Sequence, residues 1–364
     1  MQKSSKQPFI AIYIIIFLYA YCYDQVYYWY SAIPNEADLF GVSVAIGAIG
    51  LGFISDKFCR KKTLLFSLFI ATPLIILAYF IHSIWLLIIA GLAFNPLPIV
   101  RAALTDNLRQ YSKIRLMAIA FFLQFLPDGM YQIYIKFSPI SSFYSVIIGL
   151  AIMIISAFIW FQDVRDEAIK LEQSDTTSYF HLFESKKVRL GLYTFLAFIP
   201  TQFVFVMAGK AIEIAKHSPD IYSLASGSFA VGALVALLYK RTPHTSILTI
   251  AYGFSFMLAV IPVLNEFIYS INLGSQAIHM ISYGAQMGFY IPFVYDVVLS
   301  SSKTTHRATA CGLLDFVYGL VYIIGMSYFS FLRENMLINI LLIPIFFIIA
   351  IILQKRSETA MQKK

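Results

Sequence analysis

The feature that most constrains this chain is a run of about 20 apolar residues that recurs along its whole length. A run of that length is what an α-helix needs to cross the hydrocarbon core of a bilayer. Twelve such runs occur, the second of them short and the tenth long: 9–30, 39–54, 63–81, 84–105, 116–137, 142–161, 189–210, 220–239, 245–264, 268–298, 308–331 and 335–354. The pattern predicts an all-α integral membrane protein with twelve transmembrane helices.

The composition agrees with lipid as the solvent. The 364 residues are 59% hydrophobic and only 13% charged, whereas a soluble domain is about 45–50% apolar and about 25% charged. A soluble chain of this size would need far more charge to cover its surface. We interpret 9–30 as a first span because it is too long for the apolar region of a cleaved signal peptide.

The basic residues predict the orientation in the membrane. Of the 27 Lys and Arg residues, 22 fall in segments that are cytoplasmic if both termini are inside, and Arg101 lies within a span. Only four would face outside: Lys136, Lys210, Lys216 and Arg333. This is the bias that the positive-inside rule describes. It also accounts for the formal net charge of +8, so we expect no nucleic-acid partner.

The longest polar stretch, 162–188, divides the predicted helices six and six. We therefore expect an N-terminal six-helix bundle over 1–161 and a cytoplasmic linker over 162–188. A C-terminal six-helix bundle with a short cytoplasmic tail would then occupy 189–364.

The two halves share a local pattern. Each has a proline, a short basic loop and then Arg-x-x-Ala, beginning at Arg115 in one half and at Arg307 in the other. The helix that follows contains one aspartate, which is Asp128 or Asp315. Six-helix halves repeated in parallel are the organisation of one large class of transporters.

The loop after the second predicted span carries the most specific motif, "GFISDKFCRKKTLL" over Gly52–Leu65. It resembles the cytoplasmic motif G-x-x-x-D-[RK]-x-G-R-[RK] of the major facilitator superfamily. The residues that match it are Gly52, Asp56, Lys57, Arg60 and Lys61. Cys59 stands where the family has its second glycine. Together with the two six-helix halves, the resemblance covers nearly the whole chain and implies the fold of that family.

In that family the motif acts as a conformational latch. The aspartate lies at the N-terminus of the eleventh helix, where free N–H groups favour an anion, and the arginine bridges it to an acid at the end of the fourth helix. The residues that the resemblance assigns to the latch are Gly52, Asp56, Arg60, Lys61 and Asp106. The alternative is that the basic residues only serve the positive-inside bias. The corresponding loop of the second half has Tyr239 where the acid would be, so we predict no second latch there.

Polar residues within the spans are the candidates for a solute or proton pathway. A charged side chain at the bilayer centre costs at least about 2.5–3.5 kcal/mol on insertion scales, so it needs a partner or a cavity. The tenth span carries polar residues at steps of three and four, which we interpret as lining a water-filled cavity; hydrogen bonds between helices are the alternative. That stripe is Gln276, His279, Tyr283, Gln286 and Tyr290. The expected pathway residues are Asp24, Arg101, Gln124, Asp128, Gln202, His279, Tyr283, Gln286 and Asp315.

Depth separates three of these charges. Asp128 lies about 13 residues into its predicted span, or roughly 20 Å, which is near mid-membrane. A carboxylate whose charged form is costly suits a proton-coupling site. Asp24 lies in the outer third of the first span. Arg101 is near enough to the cytoplasmic end to snorkel, which is the alternative to a functional role.

We therefore expect a secondary transporter that binds a small organic solute between its halves and is coupled to protons. No P-loop or other ATP site occurs in the sequence. A proton-antiport efflux pump is the nearest alternative. The many aromatic residues favour it, because aromatic faces bind cations and flat apolar compounds. The absence of the antiporter motif from the fifth span argues against it. Facilitated diffusion also remains open. A membrane-embedded enzyme and a non-transporting receptor are remote alternatives, because no catalytic constellation gathers at one interface.

The remaining expectations concern partners and location. The spacing of Cys22, Cys59 and Cys311 suggests neither a disulfide framework nor a metal site. We expect no enzyme activity, no cofactor and no metal. The partners that we expect are the solute, protons and the lipid bilayer, and the protein is expected to be a monomer in a bacterial inner membrane.

Overall fold

In a computed structural model, every regular element of the described residues is a helix. The structure describes residues 7–30, 36–107, 112–137, 142–162, 185–186, 188–194, 220–240, 246–253, 273–327 and 336–362. No strand occurs in these ranges. An all-α fold follows from the long apolar runs, because a helix satisfies all its backbone hydrogen bonds within one segment and needs no water to do so.

The long helices are numbered in chain order. They are α1 (Gln7–Tyr30), α2 (Glu36–Lys57), α3 (Arg60–Ile81), α4 (Ile84–Ala93), α5 (Leu97–Asn107), α6 (Lys113–Phe137), α7 (Ser142–Gln162), α8 (Asp220–Ala236), α9 (Leu273–Ser301), α10 (Arg307–Ser327) and α11 (Met336–Gln362). A 3₁₀ turn, Thr304–His306, precedes α10. Shorter helical stretches cover 188–194 and 246–253.

Five helical segments within the described ranges are long and apolar enough to cross a membrane. They are Ile10–Tyr27, Asp38–Lys57, Arg60–Ile81, Ile84–Asp106 and Ser142–Gln162. These agree with predicted spans one to four and six. The count of twelve spans, the linker over 162–188 and the side of the membrane that holds the termini stay predictions.

Two predicted boundaries differ from the structure. The second span looked short at 39–54, but α2 is 22 residues long because polar residues at both ends continue the helix. The last span was expected to end at 354, but α11 continues to Gln362. Its extension is held by Glu358, which accepts hydrogen bonds from the N–H of Ser246 (3.2 Å) and from the Ser246 hydroxyl (2.6 Å).

The fourth predicted span is broken into α4 and α5. Pro96 and Pro98 lack the N–H groups that a continuous helix would use. Asn95 replaces part of what is lost, because its Nδ2 donates to the carbonyl of Val44 (3.2 Å) and its Oδ1 accepts from the N–H of Leu97 (3.3 Å). One buried amide side chain therefore starts α5 and fastens the break to α2.

Large apolar side chains cover the outside of the helices. On α3, Phe66 is 66% exposed and Phe80 is 65% exposed, and Trp85 on α4 is 73% exposed. Arg101, by contrast, has no exposed surface at all. A soluble protein seldom shows so much contiguous apolar surface, and this arrangement is typical of helices whose outer faces contact lipid.

The chain divides into two compact units. The first spans 1–111, 138–182 and 302–319, and so contains α1 to α5, α7 and most of α10. The second spans 112–137, 183–301 and 320–364, and so contains α6, α8, α9 and α11. Each unit therefore contains helices from both halves of the sequence. The division into halves at 162–188 is a statement about the sequence repeat and stays a prediction.

We expect Asn95→Ala to destabilise the protein by about 1–3 kcal/mol, because it leaves the buried Val44 carbonyl and Leu97 N–H without their partner. Thermal unfolding of the purified protein in detergent measures this. Ser83→Ala is the matched control: Ser83 precedes α4 but makes no capping hydrogen bond through its side chain, so its cost should stay within about 0.5 kcal/mol. Equal losses in the two variants would contradict the role of Asn95.

Candidate functional site

The carboxylate of Asp56 lies at the amino-terminal end of α10. It accepts hydrogen bonds from the N–H of Ala308 (3.2 Å), the N–H of Thr309 (2.7 Å) and the hydroxyl of Thr309 (2.8 Å). Asp56 belongs to the last turn of α2 and is only 5% exposed. The first N–H groups of a helix have no partner within it, and the helix dipole favours an anion there. Asp56 therefore caps α10 with a charge supplied by a different helix.

Three further charged residues surround Asp56: Arg60, Asp106 and Arg307. We call these four residues the Asp56 cluster. Arg60 donates to the carbonyl of Thr304 (2.7 Å) and to Asp56 (3.3 Å), and it forms an ion pair with Asp106. Arg307 also pairs with Asp106. All four side chains are at most 13% exposed. Two cations and two anions cancel, which is the condition under which buried charges are tolerated.

Glycines allow α2 and α10 to touch along their backbones. A Cβ atom on Gly52 would lie 2.5 Å from the carbonyl oxygen of Ala308, and one on Gly312 would overlap the carbonyl oxygen of Ala48. Any side chain at these positions would collide with backbone atoms that cannot move aside. Gly52 is one turn before Asp56, so the close approach is what brings the carboxylate to the end of α10.

Lys61 makes a different contact. Its ammonium lies 5.8 Å from the centre of the Trp160 ring, on α7, and the residue is 7% exposed. An ammonium over an aromatic face is attracted by the ring electrons. Lys61 therefore links α3 to α7.

A second buried ion pair joins α5 to α10. Arg101 is 0% exposed, and its Nη1 lies 2.5 Å from Oδ1 of Asp315. Asp106 and Arg307 pair the same two helices further along, with the signs reversed. Reversed signs at two levels favour one register of α5 against α10, because a slip would bring like charges together.

Aromatic residues of α1 lie beside this pair. Tyr19 is buried, and its ring centre is 5.2 Å from that of Phe94, the residue that follows α4. Asp24 itself is half-buried. The structure thus joins two predicted pathway residues, Arg101 and Asp315, in one ion pair, while Asp24 lies on the same helix as Tyr19.

Asp128 lies in the other compact unit, where α6 crosses α8. Its carboxylate accepts a hydrogen bond from Ser226. At the next residues, a Cβ on Gly129 would lie 2.7 Å from the Cα of Gly227. The two helices are therefore in backbone contact beside a carboxylate that lies about 15 residues, or roughly 22 Å, beyond the start of α6. Gln124 is half-buried one turn earlier on the same helix.

The polar stripe of α9 divides into packed and less packed members. Tyr283 is buried. Tyr290 is also buried, shares a hydrogen bond with Thr249 and stacks on Tyr252 with ring centres 5.1 Å apart. Gln286 donates to Ser282 (2.8 Å), while its Oε1 is buried with no hydrogen-bond partner in the described part of the chain.

Two predicted pathway residues have side chains outside the described part of the chain. Gln202 lies outside the described residues, and His279 lies in α9 but its side chain is not among those described. Conversely, three partners were not predicted: Ser226 for Asp128, Thr309 for Asp56 and Asn95 at the break in α4–α5. Only Asn95 had a signal, the two prolines that follow it in "NPLP". Within the described ranges, no group of His, Cys, Asp and Glu side chains is placed to hold a metal ion.

Comparison with solved structures finds close similarity in fold. No protein family profile matches the sequence, and no curated protein matches it significantly. The human organic anion transporter MFSD10 (TETRAN) aligns with a TM-score of 0.67 and 14% identity over 97% of this chain and 100% of its own. A point variant of the E. coli fucose:proton symporter FucP aligns with a TM-score of 0.70 and 14% identity over 96% of this chain and 98% of its own. At such identities the likeness establishes the fold.

We expect Gly52→Ala to cost about 1–3 kcal/mol, because its methyl group would overlap the Ala308 carbonyl and force α2 away from α10. Gly50→Ala is the control, since a Cβ there meets nothing within 4 Å. That variant should be neutral or gain up to about 1 kcal/mol from better helix propensity. Thermal unfolding of both variants measures the difference, and a harmless Gly52→Ala would argue against the backbone contact.

Proposed function

Because the chain has the fold of the major facilitator superfamily, we propose that it is a secondary active transporter. It would move a small organic solute across a membrane by alternating access, coupled to protons. The observation that carries this proposal is the Asp56 cluster, which joins α2 of the first sequence half to α10 of the second through bonds that can be made and broken. We further propose a monomer in a bacterial inner membrane.

The Asp56 cluster would act as the latch of the outward-facing state. Its bonds bind the end of one helix to the start of another, so separation of the two removes several charge-assisted bonds in a single step. Water entering from the cytoplasm would then solvate the freed charges. Such a contact gives the two-state behaviour that alternating access needs.

Asp128 is the residue that we propose for proton coupling. It is a carboxylate deep in an apolar helix, and the hydrogen bond that it accepts among the described residues comes from Ser226, a neutral hydroxyl rather than a cation. A carboxylate held by a neutral donor can change its protonation state without leaving a buried cation behind. Asp315 differs from it, because Arg101 forms an ion pair with it.

The remaining pathway residues are proposed as solute contacts. They include Asp24 on α1 and the paired Arg101 and Asp315, and Gln286 has an acceptor atom that no described residue satisfies. Gln124, Tyr283, Gln202 and His279 are proposed from the sequence pattern. The names of the two structural neighbours, an organic anion transporter and a proton-coupled sugar symporter, suggest the solute classes to test first.

We predict that Asp56→Ala shifts the protein toward inward-facing forms by about tenfold or more, because hydrogen bonds to a charged group contribute about 1.5–3 kcal/mol each. Accessibility of single cysteines to reagents on each side of the membrane measures the shift. Asp38→Ala is the control at the opposite end of α2, where Asp38 accepts a hydrogen bond from Tyr27 (3.2 Å). An unaltered labelling pattern in Asp56→Ala would count against the latch.

The proposed function is tested by flux into proteoliposomes under an imposed pH gradient, with organic anions and fucose as the first solutes. We expect Asp128→Asn to abolish accumulation driven by the gradient but to leave solute exchange partly intact, because Asn cannot carry the proton. Asp38→Asn, a matched change in another carboxylate, should keep accumulation. Full uphill transport by Asp128→Asn would remove Asp128 from the coupling role.

A further inference from the structure

In the sequence repeat, α2 corresponds to α8 and α10 corresponds to α6. The contact between α2 and α10 is therefore matched by a contact between α8 and α6. The first pair is joined by Asp56, and the second half has Tyr239 where that acid would be. The Tyr239 ring packs instead against Phe289 and Phe293 of α9, with ring centres 5.5 and 5.3 Å away. Because no acid corresponds to Asp56 in the second half, the sequence alone predicts no equivalent contact between α8 and α6.

The structure shows a contact of opposite polarity at that place. Arg115, in the first turn of α6, donates from Nε to the carbonyl of Leu237 just beyond the end of α8 (3.0 Å). Ser112, the residue before α6, donates from its hydroxyl to the carbonyl of Lys240 (3.2 Å). In the α2–α10 pair, an anion meets the N–H groups of a helix start. Here, donors from a helix start meet the carbonyls of a helix end.

Most of the backbone carbonyls at the end of α8 accept a hydrogen bond. The N–H groups of Leu237, Leu238 and Tyr239 bond to the carbonyls of residues 234, 235 and 236 in a tightened last turn. The carbonyl of Leu237 is the next one along, and it receives Arg115. A cation is stabilised at a helix C-terminus by the helix dipole as well as by the hydrogen bond.

A third contact extends the same surface to α9. Lys113 donates to the hydroxyl of Ser300 (3.3 Å), which in turn donates to Asp296 one turn earlier (3.1 Å). Three of four consecutive residues, 112, 113 and 115, thus hold helices of the other sequence half. Arg115 is also the repeat counterpart of Arg307, which pairs with Asp106.

We infer that Ser112, Lys113 and Arg115 form a second cytoplasmic closure with the ends of α8 and α9, and that it must open together with the Asp56 cluster. This inference rests on the proposed alternating access. The two closures differ in exposure, since Asp56 is 5% exposed whereas Arg115 is exposed. The second closure should therefore be weaker and more sensitive to salt.

The test is the distance between spin labels on the two halves, measured by electron–electron double resonance in the full chain. Labels at Phe58→Cys and Lys240→Cys occupy exposed side chains, in a background with the three native cysteines replaced by serine. We expect Arg115→Gln to raise the ratio of open to closed distances by about two- to fivefold, the range for a cation at an exposed helix terminus. Lys62→Gln, which removes an exposed cation from α3, is the matched control and should leave the ratio unchanged.

Two further measurements test whether the two closures open in one transition and whether the second closure is electrostatic. Asp56→Ala combined with Arg115→Gln should multiply the two single effects if both closures open in one transition. Raising the ionic strength from about 0.01 M to about 1 M shortens the Debye length from about 30 Å to about 3 Å. That change should open the wild-type protein more than Arg115→Gln. The opening of the wild-type protein by salt can itself be measured even if the variant folds poorly, and the absence of any such opening would count against the second closure.

An unchanged ratio in Arg115→Gln, with opening in Asp56→Ala, would overturn the second closure and leave the proposed transporter standing. The absence of any opening in both variants would overturn both. Equal opening in Arg115→Gln and Lys62→Gln would assign the effect to net charge and overturn the specific contact.

Discussion

The structure depends on one constraint: a charge placed among apolar helices must receive its partner from another helix. In this chain the rule operates most completely on α10. Its first N–H groups are capped by Asp56, and its first residue, Arg307, pairs with Asp106. Two turns on, Asp315 pairs with Arg101. Each partner comes from α2 or α5, so the position of α10 is defined by charge as well as by packing.

The polar face of α10 relates the Asp56 cluster to the deeper Arg101–Asp315 ion pair. Arg307, Cys311 and Asp315 are four residues apart, and so they lie on one side of the helix. The fully buried Cys311 lies between the two charged residues on that face. A displacement of α10 that breaks the Asp56 contacts therefore also acts on the Arg101–Asp315 pair. The two sets of charges are thus carried by the same helix.

The sequence predicted the all-α fold and most helices, because length and apolarity alone decide whether a segment spans a bilayer. The family resemblance also named Asp56 and Arg60, which lie in the local motif, and Asp106, which it assigned at the end of the fourth span. The pairing of Arg101 with Asp315 could not be predicted, because it joins residues more than 200 positions apart and depends on the register of α5 against α10. Ser226 was missed for the same reason: a serine in an apolar helix carries no signal until Gly129 and Gly227 bring α6 against α8.

The compact units show where the sequence halves meet. α6 belongs to the first half by the repeat, yet it packs with α8 and α9; most of α10 belongs to the second half, yet it packs with α2 and α5. In both places glycines bring backbones together, at Gly52 and at Gly129. Such contacts resist lateral separation but leave little side-chain interlocking to oppose a tilt about the crossing point. The polar bonds lie beside those crossings, since Ala308 contacts Gly52 and donates to Asp56, and Asp128 precedes Gly129, so each backbone contact positions the neighbouring polar bond.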